Sequence, residues 1–407
     1  MNDALSSFSF FNKEQRNKIL AFVRDGCSTN TAALNLMRLF GYSHCIDLKC
    51  ISHASSNIGK KLYESCQMAV TFIGKCNNMM NTSNEARLRL RTLINCEIKR
   101  YTTDIRWFYM QEVASQLYKF WPQAVQLIND VDDFCPAIRS KLQAMLEENN
   151  NEIRLELALF EDAAVAIAKL CYKQEGDGFL VPTTYDHWHF VLSLLKDYVE
   201  NRKELSCVRK TANELFPNDP AGRDEAINLT KLKLNECLQK MYETTNGNDK
   251  LLSTINTLRA CRLLDYRFVA KTPLPSLFTE YENNHFGGEI VQLLNLPFVP
   301  DDSYLKPFID ELPLYLYFSQ QDVSSTHEDD QDPSILIFCF WKKHVIDLPN
   351  FALLARKLAC LTPSSATVER LFSLLASFND NQSSALADYA KTRCMLRYNQ
   401  IFRDRNT

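Results

Sequence analysis

The chain has 407 residues, of which 46% are hydrophobic and 23% are charged, and its formal net charge is −3. These proportions are ordinary for a folded globular protein, and the length allows two or three packed units. The weak negative charge excludes a globally basic protein, so any DNA contact must come from a local patch. The 14 cysteines are scattered along the chain, which excludes a small disulfide scaffold.

Short apolar runs near the start predict two strands with a helix between them. Residues 19–23 form an apolar run bounded by charge, which is typical of a buried strand, and Asp25 follows at its carboxyl end. Apolar residues then recur every three or four positions across residues 33–40, which predicts a helix. A second strand is predicted within residues 44–51. This order of elements indicates part of an α/β sheet.

The rest of the chain carries helical periodicity. Residues 55–319 are rich in Leu, Lys, Glu and Gln, with proline and glycine interruptions between apolar repeats, which predicts an all-α block. Residues 320–334 are acidic and poor in apolar side chains, so we expect an exposed linker there. Further amphipathic helices are predicted after it. The longest late apolar run, 335–341, is far shorter than the about 20 residues that span a bilayer, so no membrane partner is expected.

The last part of the chain contains motifs in a distinctive order. The pair Trp341-Lys342 is followed by Leu348-Pro349, and residues 363–373 then read Pro-Ser-Ser-Ala-Thr-Val-Glu-Arg-Leu-Phe-Ser. Together these motifs resemble the C-terminal dimerisation region of the hAT family of DNA transposases. The resemblance implies that this region associates with a second copy of the chain.

Upstream motifs resemble the same family. Residues 24–30 are similar to the strand end that supplies its second catalytic carboxylate, residues 50–53 match its Cys-x-x-His motif, and Arg106-Trp107 and residues 264–268 match two further motifs. The resemblance implies a mostly α fold with a partial α/β element, in which a truncated RNase H-like core is interrupted by a large all-α insertion domain. The expected divisions are a partial core (1–54), a helical insertion (55–319), an acidic linker (320–334) and the dimerisation region that completes the core (335–407).

Catalysis in this family depends on a carboxylate cluster that holds two divalent cations. Asp25 and Glu369 match two of the inherited positions. The family's first aspartate lies on an earlier strand, and the residues before Asp25 are too few to form the missing strands. We therefore expect an N-terminally truncated or domesticated member without strand-transfer activity and without a cofactor. Mg²⁺ or Mn²⁺ would be held by Asp25 and Glu369 only if the protein is active.

Two alternatives to this interpretation stay open. In the first, the chain is an active metal-dependent transposase whose missing carboxylate comes from Asp3, from Asp47 or from a second chain. In the second, the chain is a transposon remnant without a selected function. Cys50 and His53 are residue types that bind zinc, but a tetrahedral site needs four ligands and no second pair follows at a suitable spacing. We therefore expect structural roles for both.

One local basic patch is the candidate DNA interface, because basic side chains there could contact phosphates while an aromatic ring stacks on a base. The alternative is a solvated helix face beside a core aromatic residue. The candidate DNA-binding residues are Arg87, Arg89, Arg91, Arg100, Arg106 and Trp107.

The leading hypothesis is a transposase-derived protein that acts mainly through self-association, with DNA as a second candidate partner and no small-molecule cofactor. The family resemblance implies a nuclear location. Apolar side chains of the last helices are expected to pack on a second copy and on the chain's own helical domain. These predicted dimerisation residues are Leu353, Leu354, Leu358, Leu371, Phe372 and Leu375.

Overall fold

The protein is mostly helical with one small parallel sheet, which confirms the predicted fold class. No helix in the described part of the chain combines the length and apolarity needed to cross a membrane. The computed structural model describes residues 20–25, 28–39, 42, 45–101, 107–130, 134–176, 178–246, 249–271, 293, 296, 305–325 and 332–365.

The sheet consists of two parallel strands in the described residues, β1 (Ala21–Arg24) and β2 (Ile46–Lys49), joined through helix α1 (Ser28–Leu39). All three elements lie where the sequence predicted them. Ile46 and Leu48 of β2 point into the main core, because alternate side chains of a strand face the same side. The sheet therefore packs one face directly against the helical block.

A first group of helices follows β2 and begins at the end of the strand. The longest of them is continued by a π-helical segment, Phe160–Ala164, whose first ring stacks on Tyr63 with 4.2 Å between ring centroids. The helices are α2 (Ile51–Ser65), α3 (Gln67–Thr82), α4 (Asn84–Ile94), α5 (Trp107–Lys119), α6 (Trp121–Asn129), α7 (Pro136–Leu159) and α8 (Val165–Gln174).

A second group of helices packs against the first and covers β2. Thr254 accepts a hydrogen bond from the backbone nitrogen of Lys49 at 2.9 Å, so this group also contacts the sheet. Its helices are α9 (Val181–Val199), α10 (Ser206–Leu215), α11 (Pro220–Asn246), α12 (Asp249–Cys261) and α13 (Tyr266–Lys271), with a short 3₁₀ turn at Arg262–Leu264.

The C-terminal helices are α14 (Leu305–Ser325), α15 (Pro333–Lys343) and α16 (Pro349–Leu358). An aromatic cluster joins them to the segment before α13. The Nε1 of Trp341 donates to the carbonyl oxygen of Leu264 at 2.9 Å, and the Tyr315 hydroxyl donates to that of Leu263 at 2.6 Å. Two separate sequence motifs, Trp341-Lys342 and residues 264–268, are thus in direct contact.

Three predicted domain boundaries fall inside helices, including the one at residues 334 and 335, which lies within α15. The boundary at residues 54 and 55 lies within α2, and residues 320–325, expected to start an exposed linker, form the last turns of α14. Asp322 is held there by Lys343 and His344, at 2.6 Å and 3.2 Å. One continuous hydrophobic core runs from Ile46 to Leu361. Asp322 is the single acidic residue of 320–325 and its side chain is only 14% exposed, so these residues complete a helix and are not a break in the chain.

Carboxylates distant in sequence cap several helices. The first backbone N–H groups of a helix lack partners within it, and the residues preceding α10 and α16, Leu205 and Leu348, carry no acceptor side chain. Asp162 accepts from the backbone nitrogens of residues 207 and 208 at 3.1 Å and 3.0 Å. Glu311 accepts from those of residues 350 and 351 at 2.9 Å and 3.1 Å. These contacts fix α10 and α16 against the rest of the protein.

Removal of one such cap tests its contribution to stability. Glu311→Ala is expected to lower the free energy of unfolding by about 1–2 kcal/mol, because two backbone donors of α16 lose their acceptor. Urea unfolding followed by circular dichroism measures the change. Glu147→Ala, at an exposed position on α7, is the matched control and is expected to stay within about 0.5 kcal/mol of the parent protein. Equal losses in both variants would contradict the capping role.

Candidate functional site

The carboxyl ends of both strands meet at one edge of the sheet. Asp25 directly follows β1 and accepts a hydrogen bond from Asn30 Nδ2 at 2.7 Å. The backbone nitrogen of Cys50, directly after β2, donates to the carbonyl oxygen of Arg24 at 2.8 Å. The structure thus places Asp25 at a strand end, as its position in the sequence predicted, beside the start of α2.

Cys50 joins this edge to the C-terminal part of the chain. Its Sγ accepts from the backbone nitrogen of His53 at 3.4 Å, which caps α2, and from the backbone nitrogen of Ser365 at 3.3 Å. The backbone nitrogen of Ile51 donates to the carbonyl oxygen of Pro363 at 2.9 Å. The segment that leads toward Glu369 is therefore anchored at the strand ends, although Glu369 itself lies outside the described residues.

Cys50 and His53 do not converge on a shared ligand. The hydrogen bond between them uses the backbone nitrogen of His53, whose side chain is exposed. Within the described ranges, no three His, Cys, Asp or Glu side chains come together in a group that could hold a metal ion. The observed contacts of Cys50 are those of a helix cap and of a link between distant segments.

Asp47 forms a buried ion pair with Arg24 across the two strands. Arg24 Nε and Nη2 donate to the two carboxylate oxygens at 2.7 Å each, and Arg24 Nη1 donates to the Thr31 hydroxyl at 2.7 Å. The two side chains are only 5% and 12% exposed. The hydrogen bond to Asp47 raises the pKa of the Arg24 guanidinium.

The ion pair decides how well the described donors fit a divalent cation. Both oxygens of Asp47 are engaged by a permanently charged guanidinium, and a metal would have to displace it. The described donors at this edge therefore do not fit a metal ion, and the other proposed substitute, Asp3, lies outside the described residues. The pair was not predictable from local sequence, because Arg24 and Asp47 become neighbours only through strand pairing.

Only part of the predicted DNA patch is exposed and could contact DNA. Arg89 is paired with Asp130 at 2.9 Å and with Glu85 at 3.0 Å, so its charge is balanced within the protein. Arg87 is half-buried, whereas Arg91 and Arg100 are exposed. Arg106 lies outside the described residues, and Trp107 begins α5 with a side chain that is also outside them.

A large open cavity lies beside this patch, with a volume of 790 Å³. Lys99 and Arg154 line it together with Glu112 and Glu214. Lys99 Nζ lies 3.7 Å from Glu112 Oε2, and Arg154 forms an ion pair with Glu214. Because these basic and acidic groups neutralise each other, the cavity has no net positive potential that would favour binding of an anion.

The predicted self-association residues divide into two kinds. Leu354 and Leu358 are 3% and 0% exposed and pack inside the chain's own core, so they cannot contact a partner directly. Leu353 is 49% exposed. Leu371, Phe372 and Leu375 lie outside the described residues.

The exposed apolar surface of this region is larger on α15 and just after it, at residues that were not among the predicted self-association residues. Ile335 and Phe338 are each 57% exposed and Val345 is 37% exposed. They follow one another at the spacing of a single helix face. This spacing was visible in the sequence, but nothing there separated an exposed apolar face from a buried one. We call Ile335, Phe338, Lys342 and Val345 the α15 stripe.

An apolar groove of 200 Å³ lies between α15 and α16. Small residues of α16 and the residue that follows it form one side, and the aromatic residues of α15 form the other. Lys342 and Arg356 supply basic groups to the lining. The remaining lining residues are Phe179, Phe338, Trp341, Val345, Ala352, Ala355 and Ala359.

Residues 313–396 match the family model of the hAT C-terminal dimerisation region. The match contains α15, α16 and most of α14, and therefore the α15 stripe and most of the groove. The match is confined to this part of the chain and supports a transposase-related capacity for self-association. No curated protein matches the chain.

Proposed function

We propose that this chain is a transposase-derived protein that acts mainly through self-association and lacks strand-transfer activity. The observation that carries the proposal is the α15 stripe, whose exposed apolar side chains Ile335, Phe338 and Val345 lie inside the region that matches the hAT dimerisation model. Burying a large apolar side chain contributes about 1.5–3 kcal/mol. Several such residues on one helix face favour contact with another surface over contact with water.

Sedimentation velocity of the full chain over a wide range of protein concentration tests this proposal. We expect a reversible dimer or a larger assembly whose population grows with concentration. A chain that stays monomeric at the highest soluble concentration would contradict the proposal.

The absence of strand transfer is supported by the way Asp47 is held. Its two oxygens are bound by Arg24, which leaves Asp25 and Glu369 as the inherited carboxylates. Strand transfer of the kind that hAT enzymes perform would require a third carboxylate. It would also require divalent cations that polarise the phosphate and activate the attacking oxygen. We also propose that the protein needs no cofactor and that it is nuclear.

Cleavage of end-labelled, transposon-like DNA with Mg²⁺ or Mn²⁺ tests this part of the proposal. We expect no product with either metal. Cleavage that disappears in Glu369→Gln would instead establish the alternative, an active metal-dependent transposase.

DNA binding is a second candidate function, favoured by the exposed guanidinium groups of Arg91 and Arg100. If they contact phosphates, Arg91→Glu should weaken duplex binding at low salt and reduce the slope of log affinity against log salt by about 1. Fluorescence anisotropy at several salt concentrations measures both. Lys141→Glu, an exposed position on α7, makes the same change in net charge and should leave the slope unchanged. Equal effects of the two variants would exclude a local interface at Arg91.

A further inference from the structure

We infer that the groove between α15 and α16 receives Phe338 of a second copy of the chain, in a reciprocal two-fold arrangement. This inference rests on the proposed self-association and specifies the surface that performs it. The matched region contains both the groove and the residue that fills it.

The shape of the groove suits an aromatic side chain. Ala352, Ala355 and Ala359 recur at helical spacing, and their small side chains leave room above α16. The groove volume is 200 Å³, and an apolar cavity of about 150 Å³ is sufficient to hold a benzene molecule. One inserted phenyl ring would therefore occupy most of the groove.

The α15 stripe has the pattern of a helix that packs on another helix. Ile335, Phe338, Lys342 and Val345 are separated by three, four and three positions, which is the spacing of a coiled-coil seam. Phe338 is 57% exposed although it borders its own groove. Its ring therefore remains available to another surface.

A second copy is the partner that this surface fits best. The same face presents a projecting residue, Phe338, and a recess, so two copies related by a two-fold axis can each fill the other. Charge also favours this partner. Lys342 and Arg356 are basic, while exposed Asp332 and Asp347 lie before and after α15. A second α15 running in either direction brings a carboxylate toward these basic groups.

Phe338→Glu in the full chain tests the inference. We expect the dimer dissociation constant to rise by about 30-fold or more, the effect of losing a central interface residue. Ala359→Leu should weaken the dimer by about tenfold, because a larger side chain fills the recess. Position 359 is half-buried, so the larger side chain remains compatible with folding. The matched control is Phe190→Glu on α9, which is 63% exposed and lies outside the matched region. It should leave the dissociation constant unchanged.

The outcomes separate this inference from the proposed function. A monomeric parent protein would overturn both. A dimeric parent whose affinity is unchanged by Phe338→Glu would overturn the inference and leave self-association through another surface.

A photo-crosslinking residue, p-benzoylphenylalanine, placed at position 338 identifies the occupant. A crosslinked species of twice the chain mass supports the second copy. Crosslinking only within one chain would mean that the groove takes a segment of its own chain, and it would overturn the inference.

Discussion

Arg24→Met is expected to lower the free energy of unfolding by about 3–5 kcal/mol, because it leaves the Asp47 carboxylate without its partner in a largely buried position. Arg24 and Asp47 are 5% and 12% exposed, so water cannot fully solvate the remaining charge. The substitution also removes the hydrogen bond to Thr31, which ties β1 to α1. Urea unfolding followed by circular dichroism measures the loss.

The double variant Arg24→Met with Asp47→Leu distinguishes the contribution of the ion pair from the cost of leaving one charge buried without its partner. We expect it to recover most of the stability lost in Arg24→Met, since an apolar pair of similar volume avoids an uncompensated charge. Arg38→Met, at an exposed position on α1, controls for the loss of a positive charge and should change stability by less than about 0.5 kcal/mol. A small loss in Arg24→Met, equal to that of the control, would show that the ion pair contributes nothing.

Local periodicity was sufficient to predict the elements of the sheet edge. The apolar run at residues 19–23 and the later run within residues 44–51 correspond to β1 and β2, and the helix between them is α1. Asp25 could be placed at a strand end for the same reason. These predictions depend only on neighbouring residues, and side-chain alternation and helical spacing are local properties of the chain.

The interactions that organise the site were not predictable from such patterns. Cys50 and Ser365 meet across more than three hundred positions, and the caps from Asp162 and Glu311 join helices that are distant in sequence. The residues that flank a capping cysteine or carboxylate in the sequence do not differ from those that flank a solvent-exposed one. Only the packing of the complete chain selects its partner.

The predicted linker and the predicted self-association residues show the same limit of local patterns. Residues 320–325 are polar yet helical, and Asp322 is paired with Lys343 of the next helix. Leu354 and Leu358 are buried in the protein itself, whereas Phe338 is exposed. All three lie on helical repeats, and the sequence does not state which apolar face packs inside. Tertiary contacts assign one face to the core and leave the other for a partner.

Glu156→Ala is expected to cost about 2–4 kcal/mol, because this carboxylate is a buried acceptor with two partners. Glu156 is 2% exposed, accepts from the backbone nitrogen of Ala69 at 2.7 Å and is paired with Lys233. Glu156→Gln keeps an acceptor for Ala69 and should therefore lose less stability than Glu156→Ala. Equal losses in the two variants would mean that the cap on α3 is unimportant.

The pH dependence of Glu156 gives a second test. Burial raises the pKa of Glu156, and this effect outweighs the opposing effects of Ala69 and Lys233. A folded-state pKa above the unfolded one means that the folded protein binds the proton more tightly. The parent protein should therefore gain stability relative to Glu156→Gln as the pH falls from neutral through the raised pKa toward about 4.3. The difference between their free energies of unfolding, measured at several pH values, reports this sign. If the parent protein instead loses stability relative to Glu156→Gln on acidification, the ion pair with Lys233 dominates over burial.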